Sequence, residues 1–370
     1  MHVVRVMNVF KVTDGEIAAN NLESANKRSW SKFWHSPERP GSAEEIVARE
    51  QIALQFFGDV RVLERLDVLV EQMNRADVCL ARAALIEARV ASMAHRFRDA
   101  EVSLARAERF GAAAEDVRGM LLSILQATGK RLGHVLVCRR RIAADSSRLE
   151  DVVPLAALLA DLCQFDEADR LYQHALHAYC GVSPFAVAWV YFLLGVLWGE
   201  LQSQPSPAVA AQWYERAITY VPGYVRARVH LAEIFVADGR FADAEMVLLP
   251  AVAAGDAEAH SCLAKLLLAT GRLEESDVHK HAAKRGFDAL LEKHELAFAD
   301  HGAAFYHDLG NDPARALRLA RRNVANRPTI KALEQAHAIA VGAGELQIAS
   351  DLLTMLTSVE HEFAAAVNYH

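Results

Sequence analysis

Residues 230–245 read HLAEIFVADGRFADAE, and 32 residues later, at 262–277, the chain reads CLAKLLLATGRLEESD. A recurrence at a fixed step of about 20–50 residues constrains the fold more than any other feature. Each copy must be one supersecondary unit that buries its apolar face only against its neighbours. Stepping from Gly239 by 34 in both directions, with small insertions, gives Arg61, His95, Gly129, Cys163, Gln202, Gly239, Gly271, Gly310 and Gly344. The first four lie 34 apart, and the later steps are 39, 37, 32, 39 and 34. Glycine recurs among these anchors, as suits a turn between two helices that needs positive φ.

Seven residues before each anchor stand Leu54, Ala88, Leu122, Ala156, Gly195, Ala232, Ala264, Ala303 and His337, six of the nine being Gly or Ala. About five residues after it stand Leu66, Ala100, His134, Ala168, Ala210, Ala244, Ser276, Ala316 and Ala349, seven of them small. Small residues at two fixed points let antiparallel helices approach closely while larger ones fill the groove between them. The expected fold is therefore all-α, an α-solenoid of eight or nine helical hairpins.

Composition agrees with a packed array. The chain has 370 residues, 52% hydrophobic and 24% charged, with a formal net charge of −7. That balance argues against disorder and against general nucleic-acid binding. The most apolar window, Val187–Trp198, reads as too short to span a bilayer, so no membrane insertion is expected. The first residues, MHVVRVMNVFKVTDGE, do not read as a signal peptide. Five cysteines at 79, 138, 163, 180 and 262 contain no CxxC and suit reduced thiols buried in a cytoplasmic helical core. The basic stretch Arg139–Arg141 stands out locally, and Arg315, Arg318, Arg321 and Arg322 recur along one helix face, which suits a solvated surface.

The pattern breaks at 180–186, at 203–207 (SQPSP) and between Lys284 and Phe305. These breaks divide a solenoid over 45–370 into blocks 45–180, 181–284 and 285–370, and the first two could serve as hinges. Residues 1–44 lie outside the repeat and read as a separate arm. In it Val4, Val6, Phe10 and Val12 alternate in the manner of a strand, and Trp30, Phe33 and Trp34 offer apolar area for contact. The arm is expected to fold back toward the acidic late part of the groove, near Asp300 and Asp308, or to mediate self-association. Removing it should leave the solenoid folded.

Histidines cluster at His294, His301 and His307 beside Asp300, the one place where a metal site is worth testing. No HExxH, Cys/His quartet, GxSxG, P-loop or GxGxxG occurs, so neither an enzyme, a metal nor a cofactor is expected.

The spacing and the small-large-small code resemble the tetratricopeptide repeat (TPR) family. The best stretch is WYERAITYVPGYVRARVHLAEIFVADGRFADAE, where Tyr214, Ala217 and Pro222 close one repeat and Leu231, Ala232, Phe235 and Ala244 build the next. A second is Leu155, Ala156, Ala168, Tyr172 and Ala175. The likeness covers about 47–363, although the tryptophan near each repeat start is largely missing. It implies a right-handed superhelix whose first helices line a concave groove. Carried over residue by residue, it places Arg82, Arg89, Trp189, Phe192, Glu200, Arg226, His230, Glu233, Glu258, Lys265, Asp300, His301 and Asp308 in that groove. The Lys/Asn/Arg clamp of chaperone-tail binders is absent, since Leu85, Arg89 and Met120 stand in its place.

The resemblance implies a non-enzymatic scaffold or adaptor that takes a protein or peptide segment, in the setting of a bacterial assembly or secretion machine. The alternative is a ligand- or peptide-sensing regulator that changes its curvature. A metal-dependent enzyme at 294–307 is a distant third.

Overall fold

The protein was analysed as a computed structural model, which describes residues 11–76 and 79–368. Among these are eighteen α-helices and no strand. The first two are α1 (Gly15–His35) and α2 (Ser42–Phe57), followed by α3 (Val62–Arg75), α4 (Leu80–Met93), α5 (Phe97–Arg109) and α6 (Ala114–Ala127). The middle of the chain forms α7 (Leu132–Ala144), α8 (Leu149–Asp161), α9 (Phe165–Ala178), α10 (Pro184–Val196), α11 (Pro207–Tyr220) and α12 (Val225–Ala237). The last third forms α13 (Phe241–Ala253), α14 (Ala257–Ala269), α15 (Leu273–His307), α16 (Pro313–Asn326), α17 (Ile330–Gly342) and α18 (Leu346–Asn368).

All nine anchors fall at turns between paired helices, from α2/α3 to α17/α18. At six of them the same pair of bonds ends the first helix. At Gly239, its N–H donates to Val236 O (3.1 Å) while the next N–H, Arg240, donates to Phe235 O (2.8 Å). This is the Schellman arrangement, which satisfies otherwise orphaned carbonyls and requires a left-handed residue at the anchor. His95 and Cys163 adopt that conformation too, with φ of +53° and +59°, so the turn persists where glycine is missing.

The small positions lie in the core. Ala88, Ala156, Ala232, Ala264 and Ala303, and opposite them Ala100, Ala168, Ala210, Ala244 and Ala316, are fully buried. His134 departs from this pattern and is exposed, because α7 starts one residue late, after Arg131 at φ +53°; Val135 fills the buried point instead. The two hairpins with no small residue at either point, α2/α3 (Leu54, Leu66) and α6/α7 (Leu122, Val135), are also the most loosely packed.

Three further expectations need correction. The apolar segment is longer than its sequence window. A π-helical turn, Leu197–Leu201, extends α10, so Pro184–Leu201 is long and apolar enough to cross a membrane by length and composition. Here it is a core helix, with Val187, Ala188, Val190 and Leu194 fully buried. The irregularity between Lys284 and Phe305 is a kink at His294 (φ −137°, ψ 50°), where the second helix of one hairpin runs into the first helix of the next. Of the five cysteines only Cys262 is buried; Cys79, Cys163 and Cys180 are exposed, and all five are free.

The expected arm is mostly helix. Residues 1–10 lie outside the described residues, which include Val4, Val6 and Phe10 of the expected strand; Val12 belongs to no strand. Asp14 caps α1 by accepting from the N–H groups of Glu16 and Ile17 (2.9 and 3.1 Å). The helix lies against the first hairpin rather than near Asp300 and Asp308. Phe33 is fully buried with Ile46, Val47, Leu66 and Leu69, and Trp30 Nε1 donates to the buried Glu50 (2.8 Å). Trp34, stacked on Trp30 at 5.9 Å, stays half exposed. Farther along the array, Gly15 abuts Tyr220 O and Pro222, and Thr13 N–H donates to Val182 O (2.9 Å).

Candidate functional site

The array curls until its ends meet. Lys293 on α15 pairs with Glu64 on α3 (2.8 Å), Asn326 on α16 donates to His95 O (2.9 Å), and α18 packs on α7. The concave face is thereby gathered around a chamber of about 1110 Å³. Its walls come from α6, α7, α8, the π-helical turn, α12, α14, α15, α16 and α17, and from the connection at Arg327–Thr329.

Two charge clusters stand on these walls. In the first, Glu200 on the π-helical turn pairs with His230 Nδ1 (3.0 Å) and Lys331 Nζ (3.4 Å) and accepts from Tyr214 Oη (3.3 Å). Burial alone would raise its pKa, but the bond and charge of His230, with Lys331 behind, hold it at about 2. In the second, His301 Nδ1 meets Glu258 at 3.1 Å and its Nε2 lies 3.9 Å from Asp300, which also holds the guanidinium of Arg327. Glu258 first, then Asp300, push the imidazole pKa up to about 9. For Glu258 the burial penalty is outweighed by the charge of His301, so its carboxyl lies well below the usual range. These groups keep a third or so of their surface open to the chamber while protein surrounds them, so water weakens the pairs without breaking them.

Other charged side chains on the chamber wall have no opposite charge to hold. Among the described residues Arg226 makes no ion pair; its guanidinium lies 5.3 Å over the ring of Phe192. Asp161, at the end of α8, is open to the chamber and among the described residues has no hydrogen-bond or ion-pair partner; desolvation by the surrounding walls pushes its carboxyl up to about 6, with Lys331 opposing. Arg139 is buried, contrary to the surface position that its basic neighbours suggest.

Of the groove residues expected from sequence, the structure brings Arg226, His230, Asp300 and His301 together in the chamber, with Glu200 and Glu258. The rest lie elsewhere. Arg82 is tied to Glu44 (2.7 and 2.8 Å) and Arg89 to Gln51 (2.9 Å), both on α2. Phe192 is core and Trp189 stacks on it at 5.9 Å. Glu233 reaches His230 only at 3.9 Å, and Lys265 is held by Asp308 (2.5 Å). The histidines of 294–307 face three ways. His294 sits at the kink near Glu64 and Asp67, His301 lines the chamber, and His307 lies against Gly342. Among the described residues no three His, Cys, Asp or Glu side chains converge as a metal site. Sequence reasoning missed Arg139, Asp161, Arg327 and Lys331. Only Arg139 carried a sequence signal, being a charge where most other repeats place a core residue.

No curated protein sequence matches the chain. Residues 206–266, which span α11 to most of α14, match the tetratricopeptide repeat family model. Solved structures with a similar course include a Rap protein complexed with competence and sporulation factor, at 13% identity, 94% coverage of both chains and TM-score 0.49. Yeast Tom70 is similar at 13% identity over 95% of this chain and 85% of its own, with TM-score 0.48. The pilF protein of Pseudomonas aeruginosa is similar at 15% identity over 56% of this chain and 91% of its own, with TM-score 0.43. These likenesses carry no partner or activity to this chain. The chain therefore carries tetratricopeptide repeats at 206–266, and the turn chemistry of those repeats recurs through the rest of the array.

Proposed function

We propose that this chain is a non-enzymatic binding protein, an adaptor that receives a short peptide segment of a partner in its chamber. The observation that carries the reading is the chamber itself. At about 1110 Å³ it exceeds the roughly 300–1,000 Å³ of ordinary small-molecule pockets. Its walls mix polar and apolar surface in similar measure, their charges are largely paired in place, and the exceptions (Arg139, Arg226 and Asp161) are of both signs. A peptide offers backbone donors and acceptors along its length and charge of either sign, which suits such walls better than an apolar ligand would.

The sensing variant of this reading rests on a separate observation. Lys331 bridges to Glu200 across the chamber, and a bound segment that displaced Lys331 would loosen the closure between α17 and the π-helical turn.

Selection from a random peptide library followed by calorimetric titration tests the reading. A selected peptide should bind one to one. Arg226→Ala and Lys331→Ala should each weaken it by roughly tenfold or more, while the exposed Arg118→Ala should not. Failure to select any peptide, or binding indifferent to the chamber variants, would overturn it.

A further inference from the structure

Arg139 breaks the repeat in a particular way. It stands seven residues into its helix, on α7, counting from Leu132. The equivalent residues of six of the other eight hairpins, Leu69, Leu104, Tyr172, Tyr214, Leu248 and Ala320, are buried, whereas Lys280 on α15 and Leu353 on α18 are not. The array thus places an arginine where it mostly places core, and that residue is only 7% exposed.

Such a charge needs partners, since an unpaired buried ion is among the least favourable arrangements in a fold. Arg139 has few. Nη2 donates to Ser123 Oγ at 3.1 Å, and Nε is buried with no partner. Among the described residues no carboxylate comes within ion-pair distance of it. Asp151 is the nearest acidic influence, and its Oδ2 accepts instead from Ser146 Oγ at 2.7 Å. Burial is the largest influence on the guanidinium and opposes its charge.

The same residue lines the chamber, in a corner shared with Ser123, Gln126 and Pro154. The corner exists because α6 and α7, with Leu122 and Val135 at their contact points, do not close on one another. Gln126 is also half used there: its Nε2 donates to Pro154 O (3.1 Å), but its Oε1 is buried without a donor. An unpartnered cationic donor and an unpartnered neutral acceptor therefore lie buried in the wall at one corner of the chamber.

We infer that Arg139 is the anchor of an oxyanion site, at which a bound segment places a carboxylate against the guanidinium. The inference rests on the peptide reading above and names the group that the chamber selects. A planar guanidinium can hold a carboxylate through two parallel bonds, which an ammonium cannot do. Gln126 Oε1 would accept an N–H of the same segment.

The probe is succinate, a free dicarboxylate, compared with inorganic phosphate and with chloride at equal ionic strength, using the melting temperature of the full chain as the readout. Succinate should raise the melting temperature above chloride. Arg139→Met should abolish that rise, with the apparent affinity for succinate falling roughly tenfold or more. In chloride Arg139→Met should melt no lower than the natural chain, because an apolar side chain replaces an unpaired buried charge. Arg141→Met, an exposed change on the same helix, should leave the response intact. If Arg139→Met does not fold, Arg139→Lys keeps the charge and removes the fork, and should weaken the response.

A full succinate response in either Arg139 variant, or no rise in the natural chain, would overturn the site. A rise with phosphate alone would overturn its assignment to carboxylates. If selected peptides bind but succinate shows no Arg139-dependent effect, this site falls and the peptide reading stands. An Arg139-dependent succinate effect without any peptide binding leaves the site and removes the reading.

Discussion

Gly195 shows how tightly single residues set this fold. A β-carbon built there would press on three ring atoms of Tyr214, itself 1% exposed and fixed by its bond to Glu200. Gly195→Ala should therefore destabilise the chain by about 1–3 kcal/mol through overpacking, read as a lower midpoint in urea. Two histidines should shape the pH dependence in opposite senses. The pKa of His301 is raised, so its contribution is fully present below about 6.5 and is lost as pH rises toward about 9. His95, half-buried with its Nδ1 sealed from water and unpartnered, is pushed down to about 4 by desolvation; its contribution is present above about 6.5 and is lost as pH falls toward 4. His301→Asn should flatten the alkaline side of the stability profile and His95→Asn the acid side, as followed by thermal melts across pH. At this scale the sequence was informative wherever a residue's job is local. The turn residues and close-contact alanines were legible because backbone sterics alone demand them. The burial of Arg139 was not, because a basic triplet on a helix reads as surface until the packing register is known.

Among the elements, α1 covers the α2/α3 hairpin. A repeat hairpin buries its apolar face only against a neighbour. Here Phe33 supplies the cover by filling the space among Ile46, Val47, Leu66 and Leu69. Phe33→Ala should cost about 3–5 kcal/mol in a urea melt, much as a core truncation does elsewhere. A negligible loss would mean that α1 is a passive appendage, as the sequence reading supposed when it expected the solenoid to survive without it. The helix itself was not legible because residues 15–35 carry no copy of the repeat, and a covering helix obeys a different pattern from the units it covers. The kink at His294 was equally hidden: two helices joined without a turn leave no Gly or Pro to mark the joint. The nine hairpin turns, by contrast, were all placed from spacing.

At the scale of the whole molecule, function depends on closure. Lys331 and Glu200 meet although 131 residues separate them, and Lys293 and Glu64 meet across 229. No local pattern specifies such pairs; they follow from small rotations summed over successive hairpins. The sequence therefore identified about half of the chamber's charged wall, the part on the π-helical turn, α12, α14 and α15, and missed Asp161 at the end of α8 together with what α16, α17 and the α6/α7 opening bring to it. A competing surface exists on the outside, where Met246, Leu249, Leu268, Leu273 and Val278 are exposed. Hydrogen–deuterium exchange of the full chain, with and without a selected peptide, separates the two surfaces directly. The account predicts new protection around Asp161, Arg226–His230, Glu258, Asp300–His301 and Arg327–Gln335, with none on α13. Protection confined to α13 and the Leu268–Val278 surface, with the chamber unchanged, would contradict it.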